Sequence, residues 1–324
     1  MLGGVRGPLV TRVGASDRMY KPLVSIVIPV FNGADFMREA IESALGQTYR
    51  NIEVIVVNDG SVDDGTTESI AGSYGHAIRY LLKSNGGCAS ALNAGISIMR
   101  GEWFSWLSHD DVYLPQKIER EIDCITTHRL NPESTVVSCG STLIDAQGAR
   151  IPRPSRFQSG SLNPEESLGW LLSGRTPNGC GLLIPRHALD RVGGFDEGLT
   201  YVLDWHYWLR LALKGCSYYR IPDRLVLNRR HGGQVSVRAQ ELLQSETLQI
   251  TSQLADLVES DPIRLRHLAE HAWSYCYRIR DDSTAARIDQ AVTAAGFGIR
   301  RLTKITGAQR RIRRDLRQRL RSVL

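Results

Sequence analysis

The sequence lacks the features that mark membrane-spanning, secreted and zinc-stabilised proteins. Its apolar runs are strand-length, far short of the roughly 18 residues that a transmembrane helix needs. Residues 1–20 are broken by glycines, Pro8 and charges, so they do not form a signal peptide and are predicted to be a disordered extension. The six cysteines are single, with no Cys-x-x-Cys pair, as expected of buried free thiols in a reducing compartment. These absences predict a cytoplasmic active domain.

Two nucleotide-binding signatures are also missing. No G-x-G-x-x-G follows the first predicted strand, and no G-x-x-x-x-G-K-[ST] occurs anywhere in the chain. A standard dinucleotide fold and a P-loop enzyme are therefore disfavoured. The hydrophobic content of 42% and the charged content of 23% are ordinary for a globular protein, which places the chain among folded rather than disordered proteins.

Strand and helix patterns alternate over the first 128 residues. Short runs rich in β-branched residues predict buried strands at 23–29, 52–57, 77–82 and 102–107. Apolar residues at helical spacing predict helices at 35–45, 65–74, 89–99 and 115–128. Helix-length connections between buried strands imply parallel pairing, with helices on both faces of the sheet. The fold class predicted is α/β, with a Rossmann-like, mainly parallel sheet.

The pattern changes after residue 130. Further strands are predicted at 135–144, 181–184, 218–221 and 225–227, and helices at 166–173 and 201–214. From residue 239 the chain has only helical patterns. We therefore predict one domain over 21–237 and a C-terminal helical extension over 238–324.

Two polar clusters follow predicted strands, where ligands bind in parallel sheets. Asp59 can accept hydrogen bonds from a nucleotide base or a ribose, and Gly60 lets the backbone approach a ligand. A simple turn is the favoured local alternative. The segment from Ser108 to Asp111 offers paired acids that suit a hard cation such as Mg²⁺ or Mn²⁺. A helix cap before Pro115 is an equally good local explanation.

Two further clusters lie in the second half of the chain. Asp204 falls near the start of a predicted helix, where its carboxylate can take a proton from an acceptor hydroxyl. An ordinary first-turn acid is the favoured local alternative. Arg229, Arg230 and His231 can bind phosphates, or His231 can ligate a metal. An ordinary basic loop explains that segment equally well.

The motifs in this order resemble the family-2 glycosyltransferases with the GT-A fold. The resemblance covers about residues 23–236 and rests on the full set rather than on any one motif. The matching stretches are 24–32, 58–61, 85–87, 92–95, 108–111 with Pro115 and Lys117, 192–196, 204–210 and His231.

The resemblance implies a role for each matching position. Asp204 matches the catalytic base of an inverting transfer, and Asp110 matches the metal-binding acid of the DxD motif. Asp111 and His231 complete the expected metal site. The expected nucleotide-sugar contacts are Pro29, Val30, Phe31, Asn32, Asp59, Gly60, Asn85, Asn93, Ser108, His109 and Asp110.

The resemblance also implies the partners. The donor expected is a nucleoside-diphosphate sugar, with UDP as the nucleotide, and the acceptor is a saccharide or a lipid-linked molecule. Polysaccharide or glycoconjugate biosynthesis in bacteria is the expected setting. The chain lacks the Gln-x-x-Arg-Trp stretch of processive members, which predicts one sugar per encounter.

Two positions depart from the family pattern. Ser108 replaces the first acid of the motif, so a neutral hydroxyl stands where many members have a charge. Leu203 replaces the acid that usually precedes the catalytic base. These departures keep open a catalytically inactive nucleotide-sugar-binding protein of the same fold. A nucleotidyltransferase is disfavoured, because the segment after the first strand is neither glycine-rich nor basic.

The C-terminal tail concentrates positive charge. Ten basic residues and one acid between 300 and 321 give this segment +9, so the rest of the chain carries 6 − 9 = −3. Apolar residues at helical spacing make 310–324 a basic amphipathic helix, which suits an anionic membrane surface. A helix packed on the body with a solvated face is the alternative. Nucleic acid is not expected as a partner, because no aromatic residues interleave with the basic ones.

Overall fold

The computed structural model describes residues 20–152, 159–172, 177–232, 242, 245–247, 249 and 250. The predicted N-terminal extension, apart from Tyr20, and the basic tail at 300–324 lie outside the described residues. Within the described ranges, no helix is both long enough and apolar enough to cross a bilayer.

The first half of the described chain alternates strands and helices as predicted. Its elements are β1 Val24–Val30, α1 Met37–Leu45, β2 Ile52–Asn58, α2 Thr66–Gly72, β3 Arg79–Leu82, α3 Gly87–Ile98, β4 Trp103–Trp106, β5 Val112–Tyr113 and α4 Lys117–Thr127. The second half contains β6 Thr135–Ile144, β7 Gly160–Leu162, α5 Pro164–Leu172, β8 Leu182–Pro185, α6 Arg186–Val192, α7 Leu203–Leu213 and β9 Ser217–Arg229.

The described strands form one mixed sheet in the order β3-β2-β1-β4-β8-β6-β9-β5, with β7 paired to β9. The ladders β1–β2, β1–β4, β2–β3 and β6–β9 are parallel. The shorter ladders β4–β8, β5–β9, β6–β8 and β7–β9 are antiparallel. The predicted α/β class with a mixed, mainly parallel sheet is confirmed.

Two hydrophobic cores lie on the two faces of the sheet, and β1 contributes to both. Ile26 and Ile28 face the core that contains buried residues of α1, α2 and α4. Val27 points to the opposite core, which α3, α5, α6 and α7 cover. Each of these three side chains is fully buried, and burial of one such side chain stabilises the fold by about 1.5–3 kcal/mol. The unbroken apolar run that predicted a buried strand thus reflects helices on both sides.

The structure differs from the prediction where β9 runs as one strand. The sequence predicts two short strands separated by residues 222–224, which include Pro222. Instead, β9 continues through this segment and pairs with β6, with register shifts around Gly140. Proline has no N–H to give to a ladder, and a bulge accommodates it within a continuous strand. The elements β5, β7 and α6 were not predicted, because strands of two or three residues and a helix of seven residues carry too little periodicity to detect.

Candidate functional site

The candidate site lies at the carboxyl ends of the parallel strands. The loops after β1, β2 and β4 reach this edge together, because the three strands are neighbours and point the same way. The start of α7 and the end of β9 supply the other candidate residues. This edge is where an open parallel sheet places its ligands.

Asp59 anchors the two loops beside it. Its carboxylate accepts a charged hydrogen bond from Lys83 Nζ at 2.6 Å, and backbone N–H bonds from Gly86 at 3.1 Å and Gly87 at 2.7 Å. The side chain is only 3% exposed. Gly60 has a φ of +70°, and a Cβ there would stand 2.7 Å from the Asn85 nitrogen. Gly60 therefore permits close approach of the 83–85 loop, whereas the sequence predicted approach of a ligand.

The loop after β1 is tied to the loop after β2 at the lip of the site. Asn32 N donates to Ser61 Oγ at 2.9 Å, and Asn32 Oδ1 accepts from Val62 N at 2.8 Å. Asn32 has a φ of +50°, a conformation that asparagine tolerates better than most residues. Phe31 and Val62 leave large apolar surfaces open to solvent. Pro29 and Val30, by contrast, are buried within β1.

Asp111 lies behind the loop after β4 and is almost fully buried. It accepts hydrogen bonds from Asn228 Nδ2 at 3.0 Å and Arg229 N at 2.9 Å, and it contacts Cys180 Sγ at 3.1 Å. Burial, followed by the charge of Asp110, raises the pKa of Asp111 to about 7. The sequence predicted Asp111 as a metal ligand, but here its carboxylate serves contacts within the protein.

Asp110 and His231 form the more open pair at this edge. His231 Nε2 lies 3.1 Å from Asp110 Oδ2, and both side chains retain some solvent exposure. The ring of Phe36 contacts the ring of His231, with centroids 4.9 Å apart, and the guanidinium of Arg229 lies 4.6 Å from the Phe36 centroid. These contacts fix the position of His231 relative to Asp110.

Arg229 holds the end of β9 against the loop that carries Asp110. Its Nε donates to the Asp110 carbonyl at 2.9 Å, and its guanidinium forms an ion pair with Glu39 of α1. Only 2% of Arg229 is exposed. The sequence suggested two arginines for phosphate binding. Arg229 instead binds other groups of the protein, and Arg230 is exposed.

Ser108 and His109 begin the same loop. Ser108 N donates to Cys180 Sγ at 3.2 Å, and Ser108 Oγ lies 3.4 Å from the same sulfur. A Cβ at Gly33 would come within 2.9 Å of the His109 ring, so that glycine makes room for His109. Burial lowers the pKa of His109, which favours the neutral imidazole.

Asp204 lies in the first turn of α7. Its Oδ1 accepts from Trp205 N at 2.6 Å. Burial raises the pKa of Asp204 to about 6, although backbone hydrogen bonds from Trp205 and from Asp204 itself lower it. A carboxylate with a pKa near neutrality is a better proton acceptor than an ordinary aspartate, yet it is mostly ionised at pH 7.

Cys88 lies near the start of α3, within range of the charges of three candidate site acids. Its side chain is accessible to solvent. Nevertheless, surrounding protein atoms, followed by the charges of Asp204, Asp59 and Asp110, raise the pKa of the thiol to about 12. The prediction that every cysteine is buried is therefore wrong for Cys88, while Cys124, Cys139, Cys180 and Cys216 are buried.

Asn93 and Asn85, both predicted to contact the donor, differ in their surroundings. Asn93 Oδ1 accepts from Phe195 N at 2.7 Å, and its Nδ2 donates to Phe195 O at 3.0 Å and to Glu197 Oε1 at 2.9 Å. Asn93 therefore clamps α3 to the 193–197 loop. Asn85 is exposed beside the Asp59 anchor.

Sequence reasoning missed the residues that support the site from behind. Lys83, Cys180 and Asn228 belong to no motif, and each lies far along the chain from the acid that it contacts. Lys83 carried the only local signal, since it directly follows a predicted strand at the same edge as Asp59. The described residues contain no group of three or more His, Cys, Asp or Glu side chains arranged to hold a metal.

Comparison with known proteins relates the chain to glycosyltransferases. The family model described as Glycosyl transferase family 2 matches residues 25–193. An uncharacterized glycosyltransferase of Rickettsia prowazekii is 46% identical over 220 residues, which are 68% of each chain. One from Rickettsia felis is 43% identical over 260 residues, 79% of this chain and 42% of that protein. A chondroitin synthase of Pasteurella multocida is 38% identical over 231 residues, 67% of this chain and 22% of that protein.

The extent of these matches differs between relatives. The chain spans less than half of the Rickettsia felis protein and less than a quarter of the chondroitin synthase. Among solved structures, S. aureus TarS 1–349 in complex with UDP-GlcNAc has a TM-score of 0.62 at 19% identity, covering 79% of this chain and 73% of that one. The mannosyltransferase PcManGT from Pyrobaculum calidifontis, in complex with GDP-Man and Mn²⁺, has a TM-score of 0.54 at 19% identity, covering 90% and 81%. These structures share the fold.

Proposed function

The chain belongs to glycosyl transferase family 2, and from that premise we propose that it transfers one sugar from a nucleoside-diphosphate donor to an acceptor hydroxyl with inversion. The observation that supports the proposal is that Asp59, Asp110 and Asp204 all lie near enough to Cys88 for their charges to raise the pKa of its thiol. A nucleotide site, a diphosphate site and a proton acceptor must be neighbours for a single displacement.

Asp204 is the proposed base of this reaction. Its carboxylate takes the proton of the acceptor hydroxyl while that oxygen attacks the anomeric carbon of the sugar. The bond from the anomeric carbon to the diphosphate breaks on the opposite face, so one displacement inverts the configuration. The raised pKa of Asp204, about 6, supports this role, because a general base works best when its pKa lies near the working pH.

Asp110 and His231 are the proposed protein ligands of a divalent cation, Mg²⁺ or Mn²⁺. Their facing atoms are 3.1 Å apart, and neighbouring ligands at about 2.1 Å from an octahedral ion lie about 3 Å from each other. Such a cation keeps waters and binds substrate phosphates, so two protein ligands suffice. It would supply positive charge that balances the departing diphosphate. Because the carboxylate of Asp111 is hydrogen-bonded within the protein, we propose that Asp111 supports the loop that carries Asp110.

The proposed metal site has its own test. Asp110→Ala removes one of two protein ligands and should abolish metal-dependent nucleotide binding in calorimetry. Binding that stays unchanged in the variant would remove Asp110 from the site. The exposed Asp64→Ala is the control, since it also removes an acid but from a surface loop.

UDP is the proposed nucleotide of the donor. TarS, which shares the fold, is described with UDP-GlcNAc and with UDP, while PcManGT is described with GDP-Man and Mn²⁺. A thermal-shift screen with Mn²⁺ across UDP-, GDP- and dTDP-sugars distinguishes these donors. The largest stabilisation is expected from a UDP-sugar, because ligand binding to the folded state raises its stability.

The proposed acceptor is a saccharide or a lipid-linked molecule in polysaccharide or glycoconjugate biosynthesis. Chondroitin and hyaluronan synthases of Pasteurella multocida, each 38% identical over 231 residues, support a saccharide acceptor. The basic tail at 300–324 is proposed to bind an anionic membrane surface. Deletion of residues 300–324 should abolish co-sedimentation of the protein with liposomes that contain anionic lipid. Equal pelleting of both proteins would refute this role of the tail.

Asp204→Asn tests the proposed function. The amide matches the carboxylate in size but cannot take a proton, so release of nucleoside diphosphate should fall by roughly 10²–10⁴-fold. Nucleotide binding in calorimetry should be unchanged, because the proposed base acts on the acceptor hydroxyl and not on the nucleotide. A variant that reacts at nearly the wild-type rate would refute the assignment. A wild type that binds the donor but never turns it over would favour the inactive binding protein that Ser108 and Leu203 keep open.

A further inference from the structure

The start of α7 lacks a cap of its own. Val202 is the residue before the helix, and its apolar side chain has no acceptor for the backbone N–H groups that a helix start leaves unpaired. Asp204, in the first turn, bonds to the N–H of Trp205 and to none of the three residues before the helix. The N–H groups of residues 200–202, which lead into α7, are bound instead by a side chain from elsewhere in the chain.

Glu246 supplies that side chain. Its Oε1 accepts from Thr200 N at 2.8 Å, and its Oε2 accepts from Tyr201 N at 2.8 Å and from Val202 N at 3.2 Å. The side chain is 5% exposed. A buried carboxylate that receives three backbone hydrogen bonds holds that backbone firmly in place, because bonds to an ionised acceptor are about twice as strong as neutral ones.

The segment that carries Glu246 is itself packed against α7. Ile250, one helical turn further on, is 1% exposed and belongs to the same core cluster as Leu203 and Trp205. Residues four apart lie on the same side of a helix. The carboxylate and the apolar side chain thus hold the start of α7 from one side.

We propose that Glu246 is a positioning residue, which orders residues 200–202 and thereby aims the Asp204 carboxylate at the acceptor hydroxyl. The inference rests on the proposed function, since it takes Asp204 as the base. The direction of a first-turn side chain follows from the backbone that enters the helix, and Asp204 comes two residues after the last N–H that Glu246 binds. A displacement of about 1 Å at a reacting group is enough to cost about 10²-fold in rate.

The first test measures the contact itself in the full chain, by hydrogen exchange of the peptide that covers residues 199–206. In Glu246→Ala, the amides of Thr200, Tyr201 and Val202 should exchange roughly ten- to hundredfold faster, as expected for loss of hydrogen bonds to a charged group. Gln249→Ala is the control, because Gln249 lies in the same segment and is exposed. Unchanged exchange in Glu246→Ala would overturn the proposal.

The second test separates positioning from general support of the fold. The probe is the nucleotide sugar that stabilises the wild type most in the thermal-shift screen, with water as the acceptor and nucleoside diphosphate release as the readout. For Glu246→Ala, kcat should fall roughly 10–100-fold while the KM of the donor changes by less than about twofold. Glu246→Gln should be intermediate, because its oxygen still accepts but its NH₂ does not. Wild-type kcat, or loss of donor binding together with kcat, would overturn the proposal.

The outcome is distinguishable from failure of the proposed function. If Asp204→Asn retains the wild-type rate, Asp204 is not the base, whatever Glu246 does. If Asp204→Asn is inactive while Glu246→Ala reacts normally, only the positioning role of Glu246 is refuted.

Discussion

At the scale of single residues, Cys88 is a small side chain at the centre of the proposed site. It is accessible to solvent and lies among the charges of Asp204, Asp59 and Asp110. Under the roles proposed for these acids, the donor binds beside Cys88. A larger side chain at this position should therefore reduce the room for the donor.

Replacing Cys88 by phenylalanine should obstruct the proposed site without damaging the fold. We expect the KM of the donor to rise at least about tenfold, or transfer to be lost, because a bulky ring displaces the sugar by more than a reacting group tolerates. The melting temperature should stay close to the wild-type value, since accessible positions change stability by only about 0.5 kcal/mol. Steady-state kinetics and thermal denaturation measure the two effects.

Ser97→Phe is the matched control for this substitution. Ser97 is exposed at the far end of the same helix, so the same ring there should leave the KM unchanged. If Cys88→Phe and Ser97→Phe have equal kinetics, Cys88 does not line the donor site.

The residue scale also shows where prediction from sequence stops. Asp59, Asp110 and Asp204 were predicted because each belongs to a motif with a recognisable order, and in the structure all three charges act on the pKa of the Cys88 thiol. Their supporting contacts come from residues without motifs, such as Lys83 and Glu246, the second of which lies more than 40 positions from the amides that it binds. Contacts of this kind depend on the tertiary fold, which local patterns do not encode.

At the scale of elements, α3 packs closely on β1. Gly95 of α3 faces β1 so closely that a Cβ would stand 2.4 Å from Val27 Cγ1. Glycine within a helix costs up to about 1 kcal/mol relative to alanine. Its presence here allows the helix to approach the strand.

Gly95→Ala should therefore destabilise the protein, although alanine is the better helix former. Overpacking of a core costs about 1–3 kcal/mol, which outweighs the gain in helix propensity. We expect a net loss of about 1–2 kcal/mol in the free energy of unfolding, measured by chemical denaturation. Val27→Ala in the same chain should recover part of this loss, because it removes the methyl group that the new Cβ meets.

Gly72→Ala provides the comparison. A Cβ at Gly72, at the end of α2, would meet nothing within 4 Å. This substitution should be neutral or slightly stabilising. An equal loss of stability at Gly72 and Gly95 would contradict the packing explanation.

Elements were predictable where one periodicity extends over a whole segment. The strand at 135–144 was predicted with the bounds that the structure gives to β6, and α7 was predicted within two residues at its start. The errors fall where pairing overrides local pattern. Pro222 interrupts the apolar sequence of β9, yet the bulge opposite Gly140 keeps the strand continuous, and that outcome depends on β6.

At the scale of the whole molecule, burial of Asp204 opposes stability while it serves the proposed chemistry. Burial raises the pKa of this carboxyl from 3.8 to about 6 in the folded chain. Below pH 3.8 the group is protonated in both the folded and the unfolded states, so it favours neither. As the pH rises to 6, the unfolded chain releases the proton readily and the folded chain does not. The free energy of unfolding therefore falls over this interval and stays lower above it.

Asp204→Asn should reverse this loss. The amide is always neutral, so the variant should be more stable than the wild type by about 1–3 kcal/mol at pH 8, and the difference should shrink to near zero at pH 4. The activity of the wild type should instead decline as the pH falls below 6, where Asp204 takes up a proton. Chemical denaturation of both proteins at pH 4, 6 and 8, beside a pH–rate profile of the wild type, measures the two trends.

Asp190→Asn is the control for the change of charge, because Asp190 is an exposed acid of α6. Its effect on stability should be small at each pH, as is usual for exposed charges. If the difference between Asp204→Asn and the wild type does not depend on pH, the carboxyl titrates as an ordinary aspartate and burial does not prepare it as a base. If the difference follows the pH as expected while activity falls below pH 6, one buried carboxyl accounts for both the loss of stability and the gain in reactivity, as expected where a catalytic site is maintained at the expense of the fold.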